Sequence, residues 1–160
     1  MDIIGIVDTM FARVDMGKEA IDELESCEGY GTKFQLLYRT VPGFKDLGVE
    51  CKRMIEIDGC AIVIAIGMAG SAPIDQVCAH EASQAIMLAQ LLTNTHVLEV
   101  FVHENESNDA KELAEICRQR ARRHARNAYW LLYNPEQLSR RAGQGIRQGA
   151  RDAGPLVGGG

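Results

Sequence analysis

The eight residues Cys60 to Gly67, CAIVIAIG, hold no polar side chain and show no alternation. A strand with one wet face alternates apolar and polar residues, whereas a strand covered on both faces need not. The segment therefore predicts a central strand of a parallel sheet. Parallel neighbours require long crossovers, so helical segments should lie on either side of it.

The flanking sequence supplies them. Ile3 to Thr9 (IIGIVDT) is another apolar run, broken at Asp8, after which Met16, Ala20 and Leu24 recur at helical spacing and predict a helix over about Ala12 to Ser26. Lys33 to Thr40 (KFQLLYRT) is a further strand, and Leu47, Cys51, Met54 and Ile55 predict a helix running to Asp58-Gly59. Beyond CAIVIAIG, a helix is predicted from about Ile74 to Thr93, with Cys78, Leu88, Leu91 and Leu92 on its apolar side. His96 to Glu104 (HVLEVFVHE) is the last strand and Ser107 to Leu132 a long helix; NPEQ, Asn134 to Gln137, opens a final helix with Asn as cap and Pro first. Four strands alternating with helices imply an α/β three-layer sandwich, a four-stranded parallel sheet flanked by helices in the flavodoxin-like manner.

Composition fits one such domain: 160 residues with 46% hydrophobic content suffice for one core, assigned to residues 1–150. Residues 151–160, ending VGGG, read as a flexible tail. The net charge of -5 argues against a dedicated nucleic-acid binder. Nothing approaches the roughly 18 apolar residues of a membrane span, and no basic region leads into a signal core. Five cysteines without a C-x-x-C pair read as reduced, mostly buried thiols of a cytoplasmic protein.

In parallel sheets, ligands bind beyond the carboxyl ends of the strands. Those ends read Asp8-Thr9-Met10-Phe11, Thr40-Val41-Pro42-Gly43, Gly67-Met68-Ala69-Gly70 and Val102-His103-Glu104. Phe11 is placed to stack on a planar ligand or to join the core. Val41 before Pro42 is pushed towards extended geometry, and Gly43 lets a backbone N–H approach a ligand closely; the plain alternative is a strand-to-helix turn. Gly67 to Gly70 suits a flat ligand against backbone, or simply a loop. His103-Glu104 is a titratable pair at the sheet edge, and such pairs are also found in solvated turns.

Familiar site chemistries are absent. There is no G-x-x-x-x-G-K-[ST], no G-x-G-x-x-G after the first strand, no aspartate ending a middle strand as a phospho-receiver needs, and no G-x-S-x-G. Arg118 to Arg126 (RQRARRHAR) packs five arginines into nine residues without interleaved aromatics, which favours a solvated or inter-subunit helix face over phosphate binding. His80-Glu81, mid-helix, reads as a structural hydrogen-bonded pair.

GIVDTMFARVDM, TVPGFKDL, VCAHEASQAIMLAQLLTNTHVLEVFVHE and RAGQGIRQGARDAGP together resemble the archaeal type of riboflavin synthase over nearly the whole chain, Ile4 to about Pro155. VPGFKD and HEAS more distantly resemble the VPG-x-x-E and NEAS blocks of lumazine synthase. The resemblance implies a lumazine synthase-like fold and a homopentamer with sites between neighbouring subunits. It also implies dismutation of two molecules of 6,7-dimethyl-8-ribityllumazine to riboflavin and 5-amino-6-ribitylamino-2,4-pyrimidinedione, with Mg²⁺ supporting activity and no redox cofactor.

On this pattern Gly43 and Phe44 offer backbone donors to the ribityl chain, and Asp46 takes the place of a carboxylate. A buried polyol needs such a mixture of partners. Phe11 matches the ring-stacking aromatic, and Gly67, Met68 and Ala69 match the segment beside the heterocycle. Thr9, Val41 and Pro42 complete the substrate-binding set. His103, with Glu104 beside it, is the candidate proton shuttle, and Lys45, where lumazine synthases have an apolar residue, the candidate to stabilise an adduct. AGSAPID after the third strand lacks the Arg-Gly and the histidine that serve a phosphorylated ketone in lumazine synthases. That argues against lumazine synthase activity. A non-catalytic lumazine- or flavin-binding module and an RNA-binding accessory protein are the remaining alternatives.

Overall fold

The computed structural model describes residues 1–157. Strand β3 (Ile62–Ala69) is buried at every position, as CAIVIAIG predicted, but is shifted by two residues, starting after Cys60 and Ala61 and running on past Gly67. It pairs in parallel with β1 (Asp2–Thr9) on one side and β4 (Val97–His103) on the other. Strand β2 (Phe34–Val41) pairs with β1, so the order is β2-β1-β3-β4 and all pairings are parallel.

Alternation along the strands divides the core in two. Ile4, Ile6, Ile62, Ile64, Ile66, Val100 and Val102 face α1 (Met16–Glu25) and α4 (Ala110–Tyr133). Val7, Val63, Ala65, Val97 and Phe101 face α2 (Leu47–Glu56) and α3 (Pro73–Thr93). A short α5 (Glu136–Arg141) packs on α4. Thr9, Gly67 and His103 share the α2/α3 face by the two-residue period of their strands.

Four expectations need correction. Helix α1 starts at Met16, not near Ala12, because the Asp15 carboxylate accepts the Lys18 backbone N–H at 3.0 Å and caps the first turn there. The final helix has Pro135, not Asn134, at its cap position. His80 and Glu81 do not pair with each other; Glu81 instead meets Lys45. The largest difference lies in α3. Its inner face is Ala79, Ala82, Ile86 and Ala89, whereas Leu88, Leu91 and Leu92 point outward, Leu91 with 81% of its surface exposed. Small residues let α3 lie close to the sheet, and the larger ones are left on its outer side.

Four of the five cysteines are buried and all are free thiols, Cys78 being half-buried. Of the segment expected to be a flexible tail, Asp152 accepts from Arg123 at 2.9 Å and Ala153 N–H donates to the Gly145 carbonyl at 2.8 Å. Residues 158–160 lie outside the described residues. No helix among the described residues is long and apolar enough to cross a membrane.

Candidate active site

The first strand's two neighbours leave on opposite sides, so β1/β3 is the switch point at which open α/β sheets open a crevice. Here the strands part physically. Their pairing ends at Val7 and Ala65, while β1 runs on to Thr9 and β3 to Ala69. The β1-facing backbone of Gly67, Met68 and Ala69 is left without a strand partner, available to a flat ligand's polar edge. Thr9 is buried, yet its hydroxyl has no hydrogen-bond partner. Such orphans are uncommon and mark a place where a bound group can be received.

Around this crevice the structure brings together most of the predicted residues. Phe11 stands just beyond β1 with 53% of its surface exposed, free to stack. Val41 is buried beneath the turn, and Pro42 leads into an extended Gly43 with φ -156°. Phe44 to Asp46 form one 3-10 turn. The Asp46 carboxylate accepts the Gly43 N–H at 3.1 Å, so that donor is already engaged and Asp46 keeps its other lone pairs for hydroxyls. Lys45 meets Glu81 of α3 at 3.2 Å, which raises the lysine's pKa and keeps it charged.

Two residues act differently from their sequence reading. Phe44 contributes a ring as well as a backbone: it packs edge-on to Phe101 with centroids 4.7 Å apart and fills the space that a side chain at Gly67 would take. Met68 offers only backbone, because its side chain is buried on the opposite face and its sulfur accepts the Arg13 N–H at 3.4 Å.

At the β4 end, His103 aligns with Ala69 across the sheet, and its Nδ1 is buried without a partner, the second orphan of the rim. Glu104 turns away to Arg13 at 3.1 Å, so the carboxylate that meets His103 is that of Glu106, which accepts its backbone N–H at 2.8 Å. Arg120 holds Glu106 through both oxygens at 2.7 and 2.8 Å and reaches the Phe101 and Gly149 carbonyls at 2.8 and 2.6 Å. Burial alone would raise the Glu106 carboxyl; Arg120 and the His103 N–H outweigh it and bring it below its ordinary value.

A second polar group was missed by sequence reasoning. Asp8, nearly buried, accepts from Tyr38 at 2.6 Å and Thr40 at 2.5 Å, bracing the ends of β1 and β2 beneath the crevice. Its signal was a lone carboxylate closing an otherwise apolar strand. Burial, then the bond to Asp8, pushes the Tyr38 phenol upward. The arginines of Arg118 to Arg126 are engaged by carboxylates: Arg118 and Arg122 by Glu19, Arg120 by Glu106, Arg123 by Asp152 and Arg126 by Glu23. They tie α4 to its surroundings and do not form an open phosphate-binding stripe.

Fold and crevice define a flavodoxin-like α/β protein with a candidate site at the β1/β3 switch point. Residues 3–135 match the 6,7-dimethyl-8-ribityllumazine synthase family, and the chain belongs to it. It is 53% identical to the riboflavin synthase of Methanothermobacter thermautotrophicus over 153 residues, 96% of this chain and 98% of that protein. The riboflavin synthases of Archaeoglobus fulgidus and Aeropyrum pernix are 43% and 41% identical, each over 96% of this chain and 98% and 97% of their own lengths.

Proposed function

We propose that this chain is a riboflavin synthase, transferring a four-carbon unit between two molecules of 6,7-dimethyl-8-ribityllumazine to give riboflavin and 5-amino-6-ribitylamino-2,4-pyrimidinedione. Alongside the full-length relatives of that name, the loop after β3 carries the distinction from lumazine synthase. Gly70 to Ala72 contain neither Arg nor His; the Gln76 amide donates to the Gly70 carbonyl at 2.9 Å, and the Asp75 carboxylate packs against Gly70. A carboxylate there opposes a phosphate.

In this reading the atoms of two lumazines are those of the two products, so no redox cofactor is required. The 7-methyl group is acidic because its anion delocalises into the ring, and catalysis consists chiefly of holding two rings in register, an effect worth several kcal/mol. Phe11 stacks on a ring, the free edge of Gly67 to Ala69 binds the heterocycle, and Asp46 with the Thr9 hydroxyl receives ribityl hydroxyls. His103 moves the proton through a nitrogen now without a partner, its backbone fixed by Glu106 and Arg120. Lys45, held by Glu81, stabilises charge on the adduct.

Magnesium belongs to this proposal through resemblance. Among the described residues of the single chain no three His, Cys, Asp or Glu side chains gather into a metal-holding group, and no step here is routed through the ion. Association with further copies is supported by the apolar outer face of α3; five-fold order, a cytoplasmic setting and completion of the crevice by a neighbouring copy belong to the proposal through the resemblance.

The test is to incubate the purified chain with the lumazine, with and without Mg²⁺, and to quantify both products by chromatography. Equimolar riboflavin and pyrimidinedione are expected. His103→Ala should depress turnover more than binding, and Asp46→Ala should weaken a ribityl analogue. Tight lumazine binding without product would instead make the chain a binding module.

A further inference from the structure

A second cavity lies far from the crevice. Helix α4 begins beside the strand carboxyl ends and finishes at Tyr133, whose hydroxyl donates to Asp2 at the opposite end of the sheet at 2.7 Å. Against the later half of α4, α5, residues 142–148 and Glu23 of α1 line a half-open cavity of about 530 Å³. This is within the range of small-molecule sites.

Its walls divide by chemistry. Trp130, Leu138 and Ile146 supply apolar surface, while five arginines and one glutamate supply charge, in a chain whose net charge is -5. Three of those arginines, 122, 123 and 126, are already paired with Glu19, Asp152 and Glu23. The other two make no salt bridge among the described residues. Arg141 lies over the Trp130 ring, 4.2 Å from its centroid, with one nitrogen anchored to Gln137 at 2.8 Å and its remaining donors unassigned. Arg147 is fixed through its backbone, whose N–H donates to Asp152 at 3.0 Å, and its guanidinium makes no hydrogen bond among the described residues.

Arg141, over the Trp130 ring, and Arg147, with Asp152 close by, make no salt bridge among the described residues, and two such guanidinium groups beside an apolar wall have a definite complement. A phosphomonoester carries a charge of about -1.5 to -2 and accepts paired N–H donors; a planar ring on the same molecule would cover the apolar wall. We propose that this cavity binds a phosphomonoester carried on a planar heteroaromatic, a ligand of the mononucleotide class, at a site separate from the crevice and independent of its chemistry. Arg141 and Arg147 take the phosphate, and Leu138, Ile146 and the part of Trp130 that Arg141 leaves uncovered take the ring.

Trp130 is the chain's single tryptophan, so its fluorescence reports this cavity alone. The full-length chain is titrated with adenosine 5′-monophosphate, adenosine and inorganic phosphate, with excitation to the red of adenine absorption and calorimetry in parallel. The monophosphate should give saturable quenching and bind at least about tenfold more tightly than either fragment, weakening as salt is raised. Arg147→Gln should lose about tenfold or more in monophosphate affinity while keeping lumazine turnover, which shows that the fold is intact. Absence of saturable binding up to millimolar monophosphate, or an affinity indifferent to Arg147→Gln and Arg141→Gln, would overturn the site. Phosphate binding as tightly as the monophosphate would overturn the part given to the ring.

Discussion

Gly67→Ala is the most informative single change, because one atom tests the link between β3 and the turn that carries Asp46. A Cβ built at Gly67 stands 2.4 Å from Cε1 of Phe44. Carbon atoms pack best at about 3.5–4.0 Å, so the ring must retreat by more than about 1 Å. Overpacking of this kind costs about 1–3 kcal/mol, and disturbing the edge-on contact with Phe101 forfeits up to about 1 kcal/mol more. Against this, replacing glycine restricts the unfolded chain and returns about 0.5–1 kcal/mol. The net expectation is a loss of about 2 kcal/mol, a fall in Tm of roughly 4–8 °C for a domain of this size. Because Lys45 and Asp46 share the 3-10 turn with Phe44, the same change should raise KM for the lumazine more than it lowers kcat. Thermal unfolding and steady-state kinetics read the two effects, and Phe44→Leu in the Gly67→Ala background should recover part of each. An unchanged Tm and KM, or strict additivity in the double-mutant cycle, would refute the reasoning.

Arg120→Lys keeps the charge but leaves one ammonium to serve acceptors on Phe101, Glu106 and Gly149, and the hydrogen bonds it cannot make should cost about 1–3 kcal/mol, measured by urea unfolding. His124 is buried with its ring nitrogen on the Arg120 carbonyl, and burial pushes its pKa down to about 4. The unfolded chain takes up the proton from about pH 6.5 and the folded chain only near pH 4, so stability falls as pH drops through that window, by about 3 kcal/mol. A His124→Asn variant should show a flatter acid limb in unfolding experiments. The assembly proposed above predicts that Leu91→Glu on the outer face of α3 lowers the sedimentation coefficient below that of the wild-type chain without loss of its circular dichroism; an unchanged coefficient would count against α3 as the contact face.

The sheet was legible because β3 and its neighbours have no physically sensible alternative: apolar runs of strand length, separated by helical periodicity, leave few topologies. The face of α3 was not. Leucines at helical spacing look like core whether they meet the sheet or another copy, and the alanines that do the packing leave no hydrophobic signature. Of the candidate site, position beyond the strand ends pointed to Thr9, Phe11, Val41 to Gly43, Gly67 to Ala69 and His103, whereas Phe44, Lys45 and Asp46 entered through the family resemblance. The partners that hold them were not. Glu106 and Arg120 are fourteen residues apart, and Asp8 meets Tyr38 across thirty, separations at which composition and spacing carry no contact information. Glu104, the neighbour in sequence, was the natural partner for His103, but the turn after β4 carries it to Arg13 and brings Glu106 back instead.

The carbonyl of Gly149 lies twenty-nine residues beyond the arginine it satisfies. Gly149 has φ +82°, and a Cβ there would strike Arg120 and His124, so that carbonyl is delivered by a backbone shape that side chains disfavour. During synthesis the strands, the crevice and His103 all emerge before this residue does. Until it arrives, the Nε–H of Arg120 lacks its acceptor, and the group that steadies Glu106 under His103 is incomplete. One of the contacts behind the rim is thus supplied by a residue that lies after every strand and helix of the domain in the chain.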